Sequence, residues 1–138
     1  MPTPILVAED DDSDVIFLKH ACKVLKIPNP VIALHDGDEV VNYLQGKAPF
    51  ENRAEYPLPA LLLLDLKMPR MTGFDVLKWL KDNPGLKTFP IVVLTSSDQD
   101  SDRQKALALG ASEYCVKPGG IQNLTDLVRK IHARWLKG

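Results

Sequence analysis

A chain of 138 residues, 45% apolar and 25% charged, has the balance of one soluble globular domain with a core of its own. Its formal net charge of -1 excludes the basic excess that nucleic-acid and anionic-membrane binders carry. No apolar run reaches the roughly 18 residues of a spanning helix, Met1-Pro2-Thr3-Pro4 is not a charged leader start, and Cys22 and Cys115 have no metal-ligand or disulfide-framework spacing, so a cytoplasmic protein with reduced core cysteines is expected.

Ile5 to Ala8 is a continuous apolar run that stops at Glu9-Asp10-Asp11-Asp12. Val15, Leu18, Cys22 and Leu25 then share a helical face, and Pro28 and Pro30 end the segment. Val31 to Leu34 is a second run, closed by His35-Asp36-Gly37-Asp38, and Val40, Val41 and Leu44 carry a short helix to Gly46. Lys47 to Pro59 is polar with three prolines and is predicted to be an extended surface loop. Ala60 to Leu64 is the strongest strand and runs straight into Asp65.

After the breaks at Pro69 and Gly73, the residues Phe74, Leu77 and Leu80 mark a third helix, ended by Asn83-Pro84-Gly85. Ile91 to Leu94 is a fourth strand, followed by Thr95-Ser96-Ser97-Asp98 and a helix over about Gln99 to Leu109 that stops at Gly110. Tyr114, Cys115 and Val116 form the fifth strand, and Leu124, Leu127, Val128, Ile131 and Trp135 stripe a last helix. The strands are apolar throughout, so both sheet faces must be covered. The expected fold is α/β: one doubly wound, five-stranded parallel sheet with five helices, a single domain over residues 1–138.

In such a sheet the functional crevice lies outside the carboxyl ends of the strands. Those ends carry Glu9, Asp10 and Asp11, then Asp65, then Thr95 and Ser96, then Lys117-Pro118. Close carboxylates repel, and a cluster of them calls for a cation; oxygen ligands suit magnesium, and a lysine beside them suits a phosphoryl oxygen. Each residue alone has an ordinary role: Asp12 or Ser13 as an N-cap, Thr95 as a cap of the fourth helix, Lys117 as a solvated lysine. Asp65 resists one, because a carboxylate closing a buried strand is unfavourable unless it is paired. Four strand ends with matching chemistry on one edge argue for a site.

The segments Ile5-Leu6-Val7-Ala8-Glu9-Asp10, Leu63-Leu64-Asp65-Leu66-Lys67-Met68-Pro69-Arg70-Met71-Thr72-Gly73, Val93-Leu94-Thr95-Ser96 and Gly110-Ala111-Ser112-Glu113-Tyr114-Cys115-Val116-Lys117-Pro118 give the chain its resemblance to the receiver domains of two-component response regulators, a flavodoxin-like fold, along nearly its whole length. The resemblance implies a switch phosphorylated on Asp65 by a sensor histidine kinase. It also implies Mg2+ held by Asp10, Asp65 and the backbone carbonyl of Lys67, with Glu9 acting indirectly. Thr95 and Lys117 would bind phosphoryl oxygens, Lys117-Pro118 would be a cis bond, and Tyr114 would be the aromatic switch. Lys67 and Ser97 fall where family members tune the lifetime of the phosphorylated state.

Two features depart from the common pattern: Gly119-Gly120 after Lys117-Pro118, and the long Lys47 to Pro59 loop. No output domain is expected after Trp135-Leu136-Lys137-Gly138, and the loop, Thr95-Ser96-Ser97-Asp98 and Arg134-Trp135-Leu136 are similar to stand-alone regulators that serve bacterial phytochrome kinases. Such a regulator acts on a downstream protein or a phosphotransfer protein, with a homodimer through the fourth helix, fifth strand and fifth helix left open, and with neither nucleic acid nor membrane as partner. Trp135 is expected to be a core anchor. A haloacid-dehalogenase-type phosphatase would want a second acid two residues after the acceptor, where Lys67 stands. A phosphate-independent scaffold would have no need of the acceptor and metal set, the acidic strand-end loops poorly suit the cofactor phosphate of a flavin carrier, and a nucleotide enzyme would want a glycine-rich loop where Glu9 to Asp12 stand.

Overall fold

The computed structural model describes residues 3–136; the readings that touch Met1-Pro2 and Lys137-Gly138 lie outside the described residues. Five strands and five helices alternate in it: β1 (Ile5–Ala8), α1 (Asp12–Val24), β2 (Val31–Leu34), α2 (Gly37–Gln45), β3 (Leu61–Leu64), α3 (Gly73–Asp82), β4 (Ile91–Thr95), α4 (Asp100–Ala108), β5 (Glu113–Val116) and α5 (Ile121–Trp135). One short 3-10 turn, Pro84–Leu86, follows α3, where proline and glycine forbid its continuation. The strands form one parallel sheet in the order β2-β1-β3-β4-β5. The chain crosses back over β1 to enter β3, so strand order reverses between these two strands and opens a crevice at their carboxyl ends.

The strand side chains divide between two apolar layers by simple alternation. Leu6, Ala8, Leu62, Leu64 and Val93 join Val40, Leu44, Val76, Leu77 and Leu80 of α2 and α3 on one face. Ile5, Val7, Leu61, Leu63 and Val92 join Val15, Leu18, Val128 and Ile131 of α1 and α5 on the other. Burying a leucine or isoleucine contributes about 1.5–3 kcal/mol, so these runs of fully buried strand residues dominate the fold's stability. Cys22 and Cys115 are buried in the second layer as free thiols, and Trp135 packs against it.

Several details differ from the sequence reading. Asp11, not Asp12 or Ser13, caps α1, accepting from the N–H groups of Ser13 at 2.9 Å and Asp14 at 3.3 Å. Helix α1 ends at Val24, ahead of Pro28, because Lys26 turns into the left-handed region at φ 55°. Thr95 does not cap α4; it is the buried last residue of β4, and α4 starts after Gln99 without a side-chain cap. The Lys117-Pro118 bond is trans, and the one cis bond among the described residues is Ala48-Pro49; the turn into α5 is made instead by Gly119-Gly120, with Gly120 at φ 84°.

The 47–59 loop is tied down rather than extended over the surface. Arg53 donates to the carbonyls of Tyr43 at 2.7 Å and Leu44 at 2.6 Å in the last turn of α2, and to that of Tyr56 at 2.9 Å within the loop. Phe50 is buried, with its ring centroid 5.0 Å from that of Tyr43 and 5.3 Å from that of Tyr56. The polar composition concealed an aromatic cluster clamped by one arginine.

Candidate functional site

Backbone pairing carries the sheet one residue past its strands and fixes where the key side chains start. The N–H of Asp65 donates to the carbonyl of Ala8 at 3.0 Å, that of Glu9 to Leu34 at 2.9 Å, and that of Lys117 to Thr95 at 2.7 Å. Glu9, Asp65, Thr95 and Lys117 therefore stand along one edge of the sheet. The loop after Asp65 folds back so closely that a Cβ on Gly73 would lie 2.3 Å from the carbonyl oxygen of Asp65, a contact only glycine avoids. Gly73 N–H donates to Leu66 at 3.1 Å and closes the loop, while Lys67 N–H donates to Asp65 Oδ1 at 3.2 Å.

Lys117 reaches into the crevice from β5. Its ammonium bonds to Glu9 Oε1, to Asp14 Oδ2 at 2.8 Å and to Asp65 Oδ2 at 3.1 Å. Glu9 and Asp65 are buried and Asp10 is exposed at the rim. One carboxylate oxygen from each of Glu9, Asp10 and Asp65 lies within 4.8 Å of the others. Three carboxylates, those of Glu9, Asp14 and Asp65, thus share a single ammonium, and that of Asp10 stands close to Glu9 and Asp65.

The electrostatics follow from that imbalance. Burial pushes the Glu9 carboxyl up to about 7, aided by the nearby charge of Asp65 and opposed by hydrogen bonds from Lys117 and the Asp11 N–H. Burial works against the Lys117 charge, yet its hydrogen bonds to Asp14 and Glu9 and the charge of Asp65 hold that ammonium above its ordinary range. Converging hard oxygens with an excess of negative charge fit a divalent cation that prefers oxygen ligands, and the carboxylates of Glu9, Asp10 and Asp65 converge where it would sit.

Thr95 is fully buried at the end of β4, and its Oγ1 accepts from the N–H of Ser97 at 3.5 Å. Tyr114 is turned inward: it is buried, and its hydroxyl donates to the carbonyl of Ser97 at 2.8 Å. The Lys67 side chain is exposed, and the contact it makes with Asp65 comes from its main chain.

The sequence reading missed Asp14, which follows the acids Glu9 to Asp12 into α1. The signal was present: Asp14, Leu18 and Cys22 repeat at four-residue spacing, which puts Asp14 on the stripe that faces the sheet. It also missed the bond from Ser97 Oγ to Asp102 Oδ2 at 2.6 Å. No sequence pattern marks that contact.

Comparison with known proteins agrees with this geometry. The family model described as response regulator receiver domain matches residues 5–129. Response regulator Rcp1 of Synechocystis sp. (strain ATCC 27184 / PCC 6803 / Kazusa) is 35% identical over 136 residues, which cover 99% of this chain and 90% of that protein. The Mn2+-bound crystal structure of Rcp1 superposes with a TM-score of 0.88 at 34% identity, covering 99% of this chain and 96% of the other. The phosphorylated cyanobacterial phytochrome response regulator RcpA gives a TM-score of 0.90 at 30% identity, with 99% and 95% covered. Response regulator RPA3017, from red light signalling in R. palustris, gives 0.92 at 29% identity, with 100% and 96% covered.

Proposed function

The chain belongs to the family of response regulator receiver domains, the phosphorylation-dependent switches of two-component signalling, and we propose that it takes its phosphoryl group on Asp65. The observation that carries this reading is the convergence on Asp65 of Lys117, 3.1 Å away, and of the Glu9 and Asp10 carboxylates. In the proposed reaction an Asp65 carboxylate oxygen attacks the phosphorus of a phosphohistidine on a sensor histidine kinase. The O–P bond forms as the P–N bond breaks, the imidazole leaves, and Asp65 becomes an acyl phosphate. Lys117 exchanges its contact with the Asp65 carboxylate for one with a phosphoryl oxygen, and the Thr95 hydroxyl donates to another.

Asp10, Asp65 and the main-chain carbonyl of Lys67, with Glu9 acting indirectly, would hold magnesium, which would supply positive charge where the phosphoryl group accumulates negative charge. The same groups let the domain promote its own phosphorylation by small phosphodonors and its own dephosphorylation by water, with Lys67 and Ser97 placed to tune the second. When the Thr95 hydroxyl turns to the phosphoryl group, Tyr114 is held in its inward pose, the surface around α4 is set with it, and a downstream protein or phosphotransfer protein reads that surface. A bacterial phytochrome kinase in the cytoplasm is the proposed donor, supported by the phytochrome and red-light roles named for RcpA and RPA3017.

Incubation of the chain with acetyl phosphate, with and without magnesium, tests the reading by intact mass. A magnesium-dependent gain of one phosphoryl group, absent from Asp65→Asn, is the expected result. No gain under either condition would overturn the acceptor assignment and leave a phosphate-independent scaffold.

A further inference from the structure

Ser97 has all of its polar groups engaged in one closed ring of contacts. Its N–H donates to Thr95 Oγ1 at 3.5 Å, and its carbonyl accepts from the Tyr114 hydroxyl at 2.8 Å. Its hydroxyl donates to Asp102 Oδ2 at 2.6 Å and accepts from the Gln99 N–H at 3.4 Å. The next residue of α4 completes the ring: the Arg103 guanidinium stands 5.0 Å from the centre of the Tyr114 ring and donates to the Tyr114 carbonyl at 3.5 Å. Thr95, Ser97 and Tyr114 are buried, and Asp102 is half-buried.

A serine hydroxyl has one proton to give, and here it goes to a carboxylate at the short end of the O–H···O range, as a charge-assisted bond. Little else locates the first turns of α4. Ala106 is its sole buried residue among those described, and Gln99 offers no side-chain cap. The polar ring therefore sets where α4 begins and fixes the carbonyl that receives the Tyr114 hydroxyl.

We propose that Asp102 is a positioning residue of the switch, acting through Ser97 to hold Tyr114 in its buried pose and to tie the first turns of α4 to the Thr95 loop. Its meaning for signalling rests on the receiver reading; the latch itself exists without phosphate. Removing the carboxylate leaves the Ser97 hydroxyl without its acceptor and the Ser97 carbonyl without its anchor. Tyr114 then gains access to outward rotamers, and the loop beside the acceptor loosens to attacking water. A partner that draws α4 away would do the same, which couples occupancy of the α4 surface to the lifetime of the phosphorylated state.

The test uses the full chain labelled with 3-fluorotyrosine, without metal or phosphate, with the Tyr114 fluorine signal assigned through Tyr114→Phe. Asp102→Ala is expected to move that signal toward its position in unfolded chain. Asp102→Asn, which keeps an acceptor oxygen, holds it at the parent position. Ser97→Ala reproduces the Asp102→Ala shift, and the double variant adds nothing, as expected for two residues acting through one bond. After phosphorylation by acetyl phosphate, Asp102→Ala loses its phosphoryl group about three- to tenfold faster than the parent, the scale of one hydrogen bond. An unmoved Tyr114 signal, additive shifts from the two single variants, or an unchanged decay rate would overturn the proposal. If Asp65 takes no phosphoryl group while the Tyr114 signal moves as stated, the acceptor reading fails and the latch stands.

Discussion

Helices α4 and α5 flank β5 from opposite faces of the sheet and are held there by opposite means. α5 sets Thr125, Val128 and Ile131 into the core it shares with α1, with Leu124, Leu127 and Trp135 packed at its margin. α4 buries Ala106 alone and relies on polar handholds. Asp102 takes the Ser97 hydroxyl, Arg103 covers Tyr114, Lys105 stands 4.3 Å from the Phe74 ring centre, and Lys87 donates to the Gly110 carbonyl at 2.7 Å. Apolar burial has no equivalent in water and fixes an element in place, whereas each polar contact exchanges for one with solvent at a small net difference. A switch needs both: a side that stays and a side that can move.

The two thiols give the largest contrast. Cys22 and Cys115 are buried in the α1–α5 layer, and burial raises both thiols, that of Cys115 up to about 12 with the Glu113 charge adding to the effect. A disulfide reagent at neutral pH should label both more slowly than a free cysteine by about a thousandfold or more, because labelling waits for this layer to open. Backbone amides of α4, followed by hydrogen exchange in the same buffer, should exchange well before those of α5. Equal protection of the two helices would break the comparison.

Truncation makes the same contrast in equilibrium stability. Ile131→Ala removes a side chain that is 2% exposed and should destabilise the fold by about 2–5 kcal/mol in chemical denaturation. Arg103→Ala removes the cover from Tyr114 and should lower stability by only about 0.5–1 kcal/mol. A loss from Arg103→Ala as large as that from Ile131→Ala would mean that α4 is a fixed element after all.

This difference between the helices also marks what the sequence could show. The apolar runs Ile5–Ala8, Leu61–Leu64 and Ile91–Leu94 announce buried parallel strands because every residue in them faces one core or the other, and the α5 stripe is legible for the same reason. The strand ends then bring Glu9, Asp65 and Lys117 together, as the topology alone requires. What stayed hidden is held by contacts between polar side chains or between side chain and main chain. Arg53 on the end of α2, Asp14 on Lys117 and Asp102 on Ser97 join residues whose types are as common on open surface. Helix α4 was visible as a segment between breaks, yet nothing in its sequence says which way it faces, since it has no apolar stripe.

The smallest effect lies where α5 itself turns polar, at its end. Glu113 of β5 receives Trp135 Nε1–H at 2.7 Å and the Arg134 guanidinium, so the last turn of α5 is pinned to the edge strand. Burial alone would raise the Glu113 carboxyl, but hydrogen bonds from Arg134, Trp135 and Cys115 and the Arg134 charge bring it below its ordinary value. A carboxyl lower in the folded than in the unfolded chain contributes stability above its unfolded pKa, and that contribution is lost as pH falls through the folded one. Arg134→Ala should therefore lower Tm slightly near pH 7, and the difference from the parent should fade as pH falls to about 3. Arg134 is half exposed, so salt should weaken the same difference near neutrality while leaving the Ile131→Ala loss in place. A difference that survives both acid and salt would show that Arg134 holds α5 by packing its aliphatic stem, and would extend the fixed character of this helix to its very end.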